Sequence, residues 1–204
     1  MGIAKPDSKG GKSRMLPNNR NFDGKQYMEA DGKVYYRSYS FDKKGKHRIT
    51  IRVCEINSSY KQGITFSLSS IPEFNGSLII NGQQFVPQKR KRIDYTIQNI
   101  VVGEEIVFEL DMQEGVFRFA NASDFLDDYP GLSEKLSAQT GRTREEFRGV
   151  SYYSGLSTAY NNGNAFWMEQ LGEDKYRFHC NDHKMDDDFD DIILDVEIVS
   201  LDDK

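Results

Sequence analysis

The sequence predicts a mainly β fold, an antiparallel β-sandwich of the jelly-roll kind with a small α-helical insert. From residue 34 onward, short runs of alternating apolar and polar residues recur, and turn residues separate them. No helical pattern interrupts the first seven runs, which argues against the alternating strands and helices of a parallel sheet. An aromatic content of 12% is enough to supply a core for one domain of 204 residues.

The first twenty residues contain mainly Gly, Lys, Ser, Pro and Asn and have no apolar period. We therefore expect residues 1–20 to form an extended basic N-terminal arm and residues 21–204 to form a single β-sandwich domain. The arm lacks the apolar segment of a secretory signal, so synthesis in the cytoplasm is expected. No apolar run approaches the roughly 20 residues of a membrane span, and no membrane partner is expected.

Apolar and polar residues alternate along each of the first seven predicted strands, so each strand is expected to bury only one face. They are VYYRSYSF, RITIRVCEI, ITFSLSSI, SLIINGQQFV, RIDYTIQNIVV, EIVFELDM and VFRFA. In the second run Ile49, Ile51 and Val53 share one face. Asn81-Gly82 predicts a two-residue type I′ hairpin, because both positions need positive φ. DKKGKH and DMQEGV predict looser hairpin turns.

The alternation stops at residue 123, and helix-forming residues replace β-branched ones up to about residue 148. Gly141 suits a helix C-cap, and Thr143 with Glu146 suits a capping box. We expect two short helices in an insert at 123–148 that covers a sheet edge or an end of the sandwich. The strands AFWMEQL, KYRFHC and DIILDVEIV follow, and the last two predict a terminal hairpin.

The stretch KMDDDFDDIILDVEIV, residues 184–199, concentrates aspartates directly ahead of the last predicted strand. Burying such like charges without a partner is costly, so a cation or water must face them. Ca²⁺ takes about 6–8 oxygen ligands and suits a flexible acidic loop. The predicted calcium ligands are Asp182, Asp186, Asp188, Asp190 and Asp191. A solvated acidic hairpin, or one paired with basic loops, is the alternative.

The spacing of the aspartates in this loop can be compared with two calcium-binding motifs. Asp186, Asp188 and Asp190 have the spacing of the first EF-hand ligands, but Asp191 stands where that loop needs Gly, so an EF-hand is not expected. DDDFDDIILDV instead resembles the D-x-D-[FY]-[ND]-D motif, followed by aliphatic residues, that closes DUF4114-type β-sandwich modules. The likeness covers roughly the last 30 residues. It implies a calcium-binding domain of a secreted or surface protein.

The cysteines and histidines suggest a second, weaker metal hypothesis. His179, Cys180 and His183 lie close together in HCNDH, and a strand would place both histidines on one face for Zn²⁺. Only His47 remains to complete such a site. Without a secretory signal, Cys54 and Cys180 are expected to be two reduced thiols.

Aromatic residues in the second half allow a sugar-binding hypothesis. Trp167 with Tyr152, Tyr153 and Tyr160 could form a stacking surface for a carbohydrate. Because Trp167 lies in the predicted strand AFWMEQL, the favoured interpretation is that it packs in the core.

The net charge of −5 hides an uneven distribution. Residues 1–100 carry a net charge of +10 and residues 101–204 carry −15. The two halves either neutralise each other within the fold or form complementary faces for head-to-tail association. The run Lys89, Arg90, Lys91 and Arg92 is a candidate interaction patch, and the acidic balance disfavours nucleic acid as its partner.

The sequence has no G-x-S-x-G elbow, P-loop or G-x-G-x-x-G motif, so an enzyme is not expected. A metal-dependent hydrolase is the weakest alternative, since its ligands would crowd one loop. The sequence favours a non-catalytic structural or interaction subunit, stabilised by Ca²⁺, in a homo- or hetero-oligomeric assembly such as a phage virion or injection particle. A calcium-dependent adhesion or carbohydrate-binding module is the alternative.

Overall fold

The computed structural model describes residues 27–30, 32–68, 75–85, 94–124, 152–154, 165–182 and 188–202. Within these ranges the chain forms fourteen strands and no helix. The strands are β1 (Tyr27–Ala30), β2 (Lys33–Tyr36), β3 (Tyr39–Phe41), β4 (Gly45–Ile56), β5 (Lys61–Leu68), β6 (Asn75–Ile80), β7 (Gln83–Phe85), β8 (Asp94–Gln98), β9 (Glu105–Glu114), β10 (Phe117–Asp124), β11 (Tyr152–Ser154), β12 (Ala165–Gly172), β13 (Lys175–Asn181) and β14 (Ile192–Ser200).

These strands form two antiparallel sheets. The large sheet has nine strands in the order β1-β2-β12-β13-β14-β4-β9-β6-β7. The small sheet has the order β11-β10-β5-β8, and β3 also pairs with β10. The prediction of a mainly β, antiparallel fold is confirmed, and so is the terminal hairpin of β13 and β14.

Consecutive strands often lie in different sheets. Asn81 and Gly82, with φ of 47° and 80°, form the predicted hairpin between β6 and β7. The hairpins predicted at DKKGKH and DMQEGV are wrong, because β3 and β4, like β9 and β10, belong to different sheets. Alternation identifies a strand from its own residues, but it carries no information about which strand becomes its partner.

One predicted strand, VYYRSYSF, divides between the sheets. The chain bends at Arg37 and Ser38, and both side chains are buried there. The residues before the bend form β2 in the large sheet, and those after it form β3 in the small sheet. The bend therefore moves the chain from one sheet to the other within a single alternating run.

Side chains from both sheets form one buried hydrophobic cluster. Its β4 members, Ile49, Ile51 and Val53, confirm the face predicted by alternation. The rings of Phe66 and Phe108, one from each sheet, have centroids 5.4 Å apart. Each large side chain buried in this way stabilises the fold by about 1.5–3 kcal/mol relative to an exposed one. The two sheets are thus held together largely by apolar and aromatic packing.

On its other face, the large sheet brings the basic first half against the acidic second half. Strand β4 lies between β14 and β9. Arg48 pairs with Glu109 at 2.7 Å, and Arg52 pairs with Glu105. Exposed pairs of this kind contribute little to stability, because water and salt screen the two charges. Part of the charge difference between the two halves is therefore neutralised within the fold.

Arg177 and Asp195 form a two-point ion pair on the same face. Arg177 Nε and Nη2 donate to Asp195 Oδ1 and Oδ2 at 2.7 and 3.0 Å. The hydrogen bond from Arg177 lowers the pKa of Asp195 below its usual value, although partial burial opposes the shift. The ionised carboxylate is therefore the form that stabilises the folded chain.

Substitution of Asp195 should change how stability depends on pH. The ionised pair stabilises the fold above the unfolded pKa of about 3.9, and this contribution disappears as pH falls through the lower folded pKa. Asp195→Asn should cost up to about 1 kcal/mol at neutral pH. The difference from the parent should close in acid. Urea unfolding at several pH values measures this, with exposed Glu114→Gln as the control; a constant difference would contradict the pKa shift.

The two cysteines lie on opposite faces of the large sheet, and no disulfide joins them. The pairing of β4 with β14 shifts register between Ile193 and Leu194, which leaves Cys54 as the extra residue of a β-bulge. Cys54 is partly exposed beside Asp195, whereas Cys180 belongs to the buried cluster. Burial raises the pKa of both thiols, so both are protonated at neutral pH.

A second irregularity occurs at Gly76 in β6. The pairing of β6 with β9 shifts register between Asn75 and Gly76, and Gly76 has a φ of 154°. A Cβ at this position would overlap the backbone carbonyl oxygen of Asp111. Glycine therefore permits the close approach of the two strands.

Gly76→Ala should destabilise the fold more than the same change at Gly103. Gly103 also has positive φ, at 87°, but an added Cβ there meets no atom. Gly103→Ala should cost about 1–2 kcal/mol from backbone strain alone. Gly76→Ala adds a backbone clash and should cost more than that. Chemical denaturation of both variants checks this order, and equal losses would show that β6 and β9 can separate without cost.

Two predicted segments lie outside the described residues. The arm at 1–20 is one of them. The helical insert at 123–148 is the other, except that residues 123 and 124 belong to β10. No helix in the described ranges could span a membrane.

Candidate functional site

The inward face of the small sheet changes from apolar to polar toward one end. In β10, Phe117 and Phe119 are followed on the same face by Asn121 and Ser123, and all four are buried. Ser123 lies opposite Gln62 of β5, which continues the inward face of that strand. Buried amides and hydroxyls need hydrogen-bond partners, so this end of the core must face other polar groups.

Asp182 supplies one of those groups from the large sheet. It directly follows β13, and its side chain is completely buried, with 0% exposed. Its Oδ2 accepts hydrogen bonds from Ser58 Oγ and, at 3.4 Å, from Gln62 Nε2. Ser58 Oγ in turn accepts from the backbone N–H of Tyr60 at 2.9 Å. A carboxylate at the end of β13 is thus bound by the β4–β5 loop and by β5.

Asp191 lies at the other end of the acidic loop, directly before β14, and is also buried. Its Oδ2 accepts from the backbone N–H of Asp182 at 2.8 Å. Asn57 holds the same end, since its backbone N–H donates to the Asp191 carbonyl and its Nδ2 to the Asp190 carbonyl, both at 2.9 Å. The two ends of the loop are therefore closed against each other and against the β4–β5 loop.

Phe189 anchors the middle of the acidic segment. It has a positive φ of 58°, and its ring is buried. The centroids of its ring and the ring of Tyr35 lie 5.1 Å apart. With Tyr35 and Ala165 it forms a small apolar cluster, against which Trp167 packs. Asp188 and Asp190 flank Phe189 and are exposed. The segment therefore buries its aromatic ring and presents two carboxylates to solvent.

Six residues from separate parts of both sheets and their loops make up what we call the polar cluster. They are Ser58, Gln62, Asn121, Asn181, Asp182 and Asp191. Asn121 Nδ2 donates to the Asn181 carbonyl at 2.8 Å, a second link between the small and large sheets. Among the described residues, neither Gln62 Oε1 nor Asn121 Oδ1 has a hydrogen-bond partner, although both atoms are buried. The cluster thus has acceptor oxygens to spare.

The structure divides the predicted calcium ligands. Asp182 and Asp191 meet in the polar cluster, Asp188 and Asp190 lie exposed beside it, and Asp186 is outside the described residues. In the described part of the chain, no three Asp, Glu, His or Cys side chains converge as a metal site. Calcium at this loop would therefore need neutral oxygen ligands or ligands from beyond these ranges. The predicted interaction patch Lys89–Arg92 also lies outside the described residues.

The zinc hypothesis fails for two of its residues. Neighbouring side chains of a strand point to opposite faces, and Cys180 is in the buried core while His179 lies on the other face of the large sheet. They cannot bind one metal ion together. His183 lies outside the described residues.

Trp167 is not in the main core, contrary to the favoured interpretation of its strand. It lies on the opposite face and is half-buried. Its ring stacks on the ring of His179, with the centroids 3.9 Å apart and an interplanar angle of 1°. Lys33 Nζ lies 3.8 Å from the ring centroid. Because Lys33 comes from β2 and His179 from β13, on either side of β12, both faces of the indole are covered. In this arrangement Trp167 offers no open face for stacking a sugar.

Residue-level prediction missed the neutral members of the polar cluster. Gln62 is in phase with the buried Ile64 and Phe66, and Asn121 is in phase with Phe117 and Phe119. A polar residue at an inward position of an alternating strand was the available signal. Ser58, in a loop, had no such signal.

The chain matches no protein-family model, no curated protein and no solved structure. The resemblance to DUF4114-type modules therefore stays an expectation from the sequence.

Proposed function

We propose that this protein is a non-catalytic structural or interaction subunit of a larger assembly, of the phage virion or injection-particle type, and that Ca²⁺ stabilises it. The observation that carries the proposal is the closed acidic loop. Asp182 and Asp191 are buried against each other at its two ends, and further carboxylates flank its anchor at Phe189. An acidic segment with its two ends held together in this way is rich in the oxygen ligands that a hard cation needs.

The finer architecture that we propose is one β-sandwich domain at 21–204, of the jelly-roll kind. Its support is the shared apolar cluster, in which Phe119 of the small sheet stacks on Phe178 of the large sheet at 5.9 Å. The chain also crosses repeatedly between the sheets, for example from β4 to β5 and from β8 to β9. Both features are typical of two sheets packed face to face.

The calcium ligands in this proposal come from the predicted set, Asp182, Asp186, Asp188, Asp190 and Asp191. Ca²⁺ would supply the positive charge that a concentration of carboxylates requires. The resemblance to DUF4114-type modules agrees with it, since Phe189 of that motif is the buried anchor and Ile192 begins the last strand. Both motif positions have structural roles that hold the neighbouring aspartates in place.

Calcium should raise the stability of the full chain. A cation that binds only the folded state adds about 2.7 kcal/mol to the free energy of unfolding at a hundredfold excess over Kd. The melting temperature should therefore rise with CaCl₂ and fall back with EDTA. Asp182→Asn should abolish the rise, whereas Asp42→Asn, at an exposed site outside the loop, should retain it. Coinciding melts of the parent in CaCl₂ and EDTA would refute calcium binding.

The assembly role rests on the uneven distribution of charge along the sequence. The basic arm at 1–20 and Lys89–Arg92 are positive segments, while Asp188 is an exposed carboxylate. Opposite charges on separate parts of one subunit favour head-to-tail contact with a second protein chain, either a copy or another subunit. Protein is therefore the partner that we propose, and nucleic acid is disfavoured by the acidic balance.

Association should depend on salt and on the arm. Raising the salt concentration to about 0.5 M shortens the Debye length well below 10 Å and should reduce the mass measured by light scattering. Deleting residues 1–20 should also lower that mass while leaving the melting temperature nearly unchanged.

A protein without the arm that assembles like the full chain would contradict the role of the arm. A full chain that stays monomeric at high concentration with calcium would favour the adhesion or carbohydrate-binding alternative.

A further inference from the structure

Two buried amide oxygens remain without partners at the end of the core. Gln62 is 2% exposed and Asn121 is 1% exposed, yet Gln62 Oε1 and Asn121 Oδ1 accept no hydrogen bond from any described residue. An unsatisfied buried acceptor costs about 1–3 kcal/mol, and native folds rarely leave two together. These oxygens indicate that a group with positive charge or hydrogen-bond donors belongs beside them.

Both amides face the same small region. Gln62 and Asn121 are diagonal neighbours on the inward face of β5 and β10, because Asn121 lies opposite Ile64 and Ser123 lies opposite Gln62. Gln62 Nε2 contacts the Asp182 carboxylate, and Asn121 Nδ2 contacts the carbonyl of the preceding residue, Asn181. The two free oxygens therefore belong to amide groups that already touch the segment ending at Asp182.

The contacts of the Gln62 amide are long for hydrogen bonds. Its Nε2 lies 3.3 Å from the Tyr60 carbonyl and 3.4 Å from Asp182 Oδ2. A half-turn of the amide would exchange Nε2 for Oε1, so that three oxygens would face a cation bound at this point.

We propose that the calcium of the proposed function binds inside the polar cluster, between the two sheets. Its ligands are the carboxylates of Asp182 and Asp191 from the large sheet and the amide oxygens of Gln62 and Asn121 from the small sheet. Two carboxylates with neutral carbonyl oxygens are an ordinary ligand set for Ca²⁺. The exposed Asp188 and Asp190 lie outside this site, so calcium links the sheets rather than ordering the surface of the loop.

A buried water is the competing occupant, since one water can donate to two acceptor oxygens. Charge distinguishes it from a cation. Gln62→Glu keeps the size of the side chain and adds a third carboxylate to those of Asp182 and Asp191. With water in the site, the added charge should lower the melting temperature equally with and without Ca²⁺. With Ca²⁺ in the site, the loss should appear in EDTA and recover in CaCl₂, because the cation neutralises the new carboxylate.

The experiment measures melting temperature and calcium titration heat for five variants of the full chain. Gln62→Met keeps the length of the side chain and removes the oxygen, so it should lose the calcium-dependent rise in melting temperature. Gln62→Glu should show a larger calcium-dependent rise than the parent. Asp188→Asn and Asp190→Asn should each retain the parental rise. Gln84→Glu, the same charge change at an exposed site in β7, is the control and should also retain it.

The outcomes separate this site from the proposed function on which it rests. If Gln62→Met keeps the rise while Asp188→Asn or Asp190→Asn loses it, calcium binds the exposed loop, and only the internal site is refuted. If the parent shows no rise at all, both the internal site and calcium binding as such are refuted. An equal loss by Gln62→Glu in CaCl₂ and EDTA identifies water and overturns the internal site. If Gln62→Met does not fold, the two variants that add a charge, Gln62→Glu in β5 and Asn121→Asp in β10, decide between calcium and water. Each should then lose stability in EDTA and recover it in CaCl₂ if calcium is bound.

Discussion

The packing of one buried cluster of side chains from both sheets is the interaction on which the rest of the structure depends. Isolated two-stranded ribbons are marginal in water, and each sheet here has an apolar face that must be covered. Phe108 of the large sheet contacts both Phe66 and Phe117 of the small sheet, with centroids 5.4 and 5.1 Å apart. The chain crosses repeatedly between the sheets. The packing of the two sheets therefore also sets the positions of the loops that connect them.

The polar cluster is a consequence of that packing. The same inward faces that meet through Phe66 and Phe119 continue, toward one end, into Gln62 and Asn121. Apolar contact brings the sheets close enough for these amides to reach Asn181 and Asp182. At this end, hydrogen bonds to carboxylates and carbonyls replace hydrophobic contact between the sheets. Polar groups enclosed in this way need complete pairing, because the low dielectric around them makes an unpaired group costly.

The opposite face of the large sheet shows a different use of charge. Basic side chains of β4 lie between acidic side chains of β9 and β14, so residues far apart in sequence neutralise one another across neighbouring strands. These pairs are partly exposed, and each contributes little to stability. Their larger effect is on the electrostatic potential of the surface. Although the two halves of the sequence have opposite net charges, this face carries basic and acidic side chains side by side.

Local patterns in the sequence determined the strands and their buried faces. Alternation identified Ile49, Ile51 and Val53 as one face. The ability of Asn81 and Gly82 to adopt positive φ identified a hairpin. Both depend on residues within a few positions of each other, so the sequence alone contains the necessary information. The acidic loop was also evident from composition, although which of its aspartates are buried was not.

Tertiary structure alone decided which strands pair and which polar residues meet. The chain changes sheets at Arg37 and Ser38 within one alternating run, because each half of that run finds a different neighbour. Trp167 faces away from the main core although its strand is apolar, since the opposite face supplies Lys33 and His179 as stacking partners. Asp182 and Gln62 are 120 residues apart and meet only after the sheets have packed. Such contacts depend on the register of distant strands, which no local periodicity encodes.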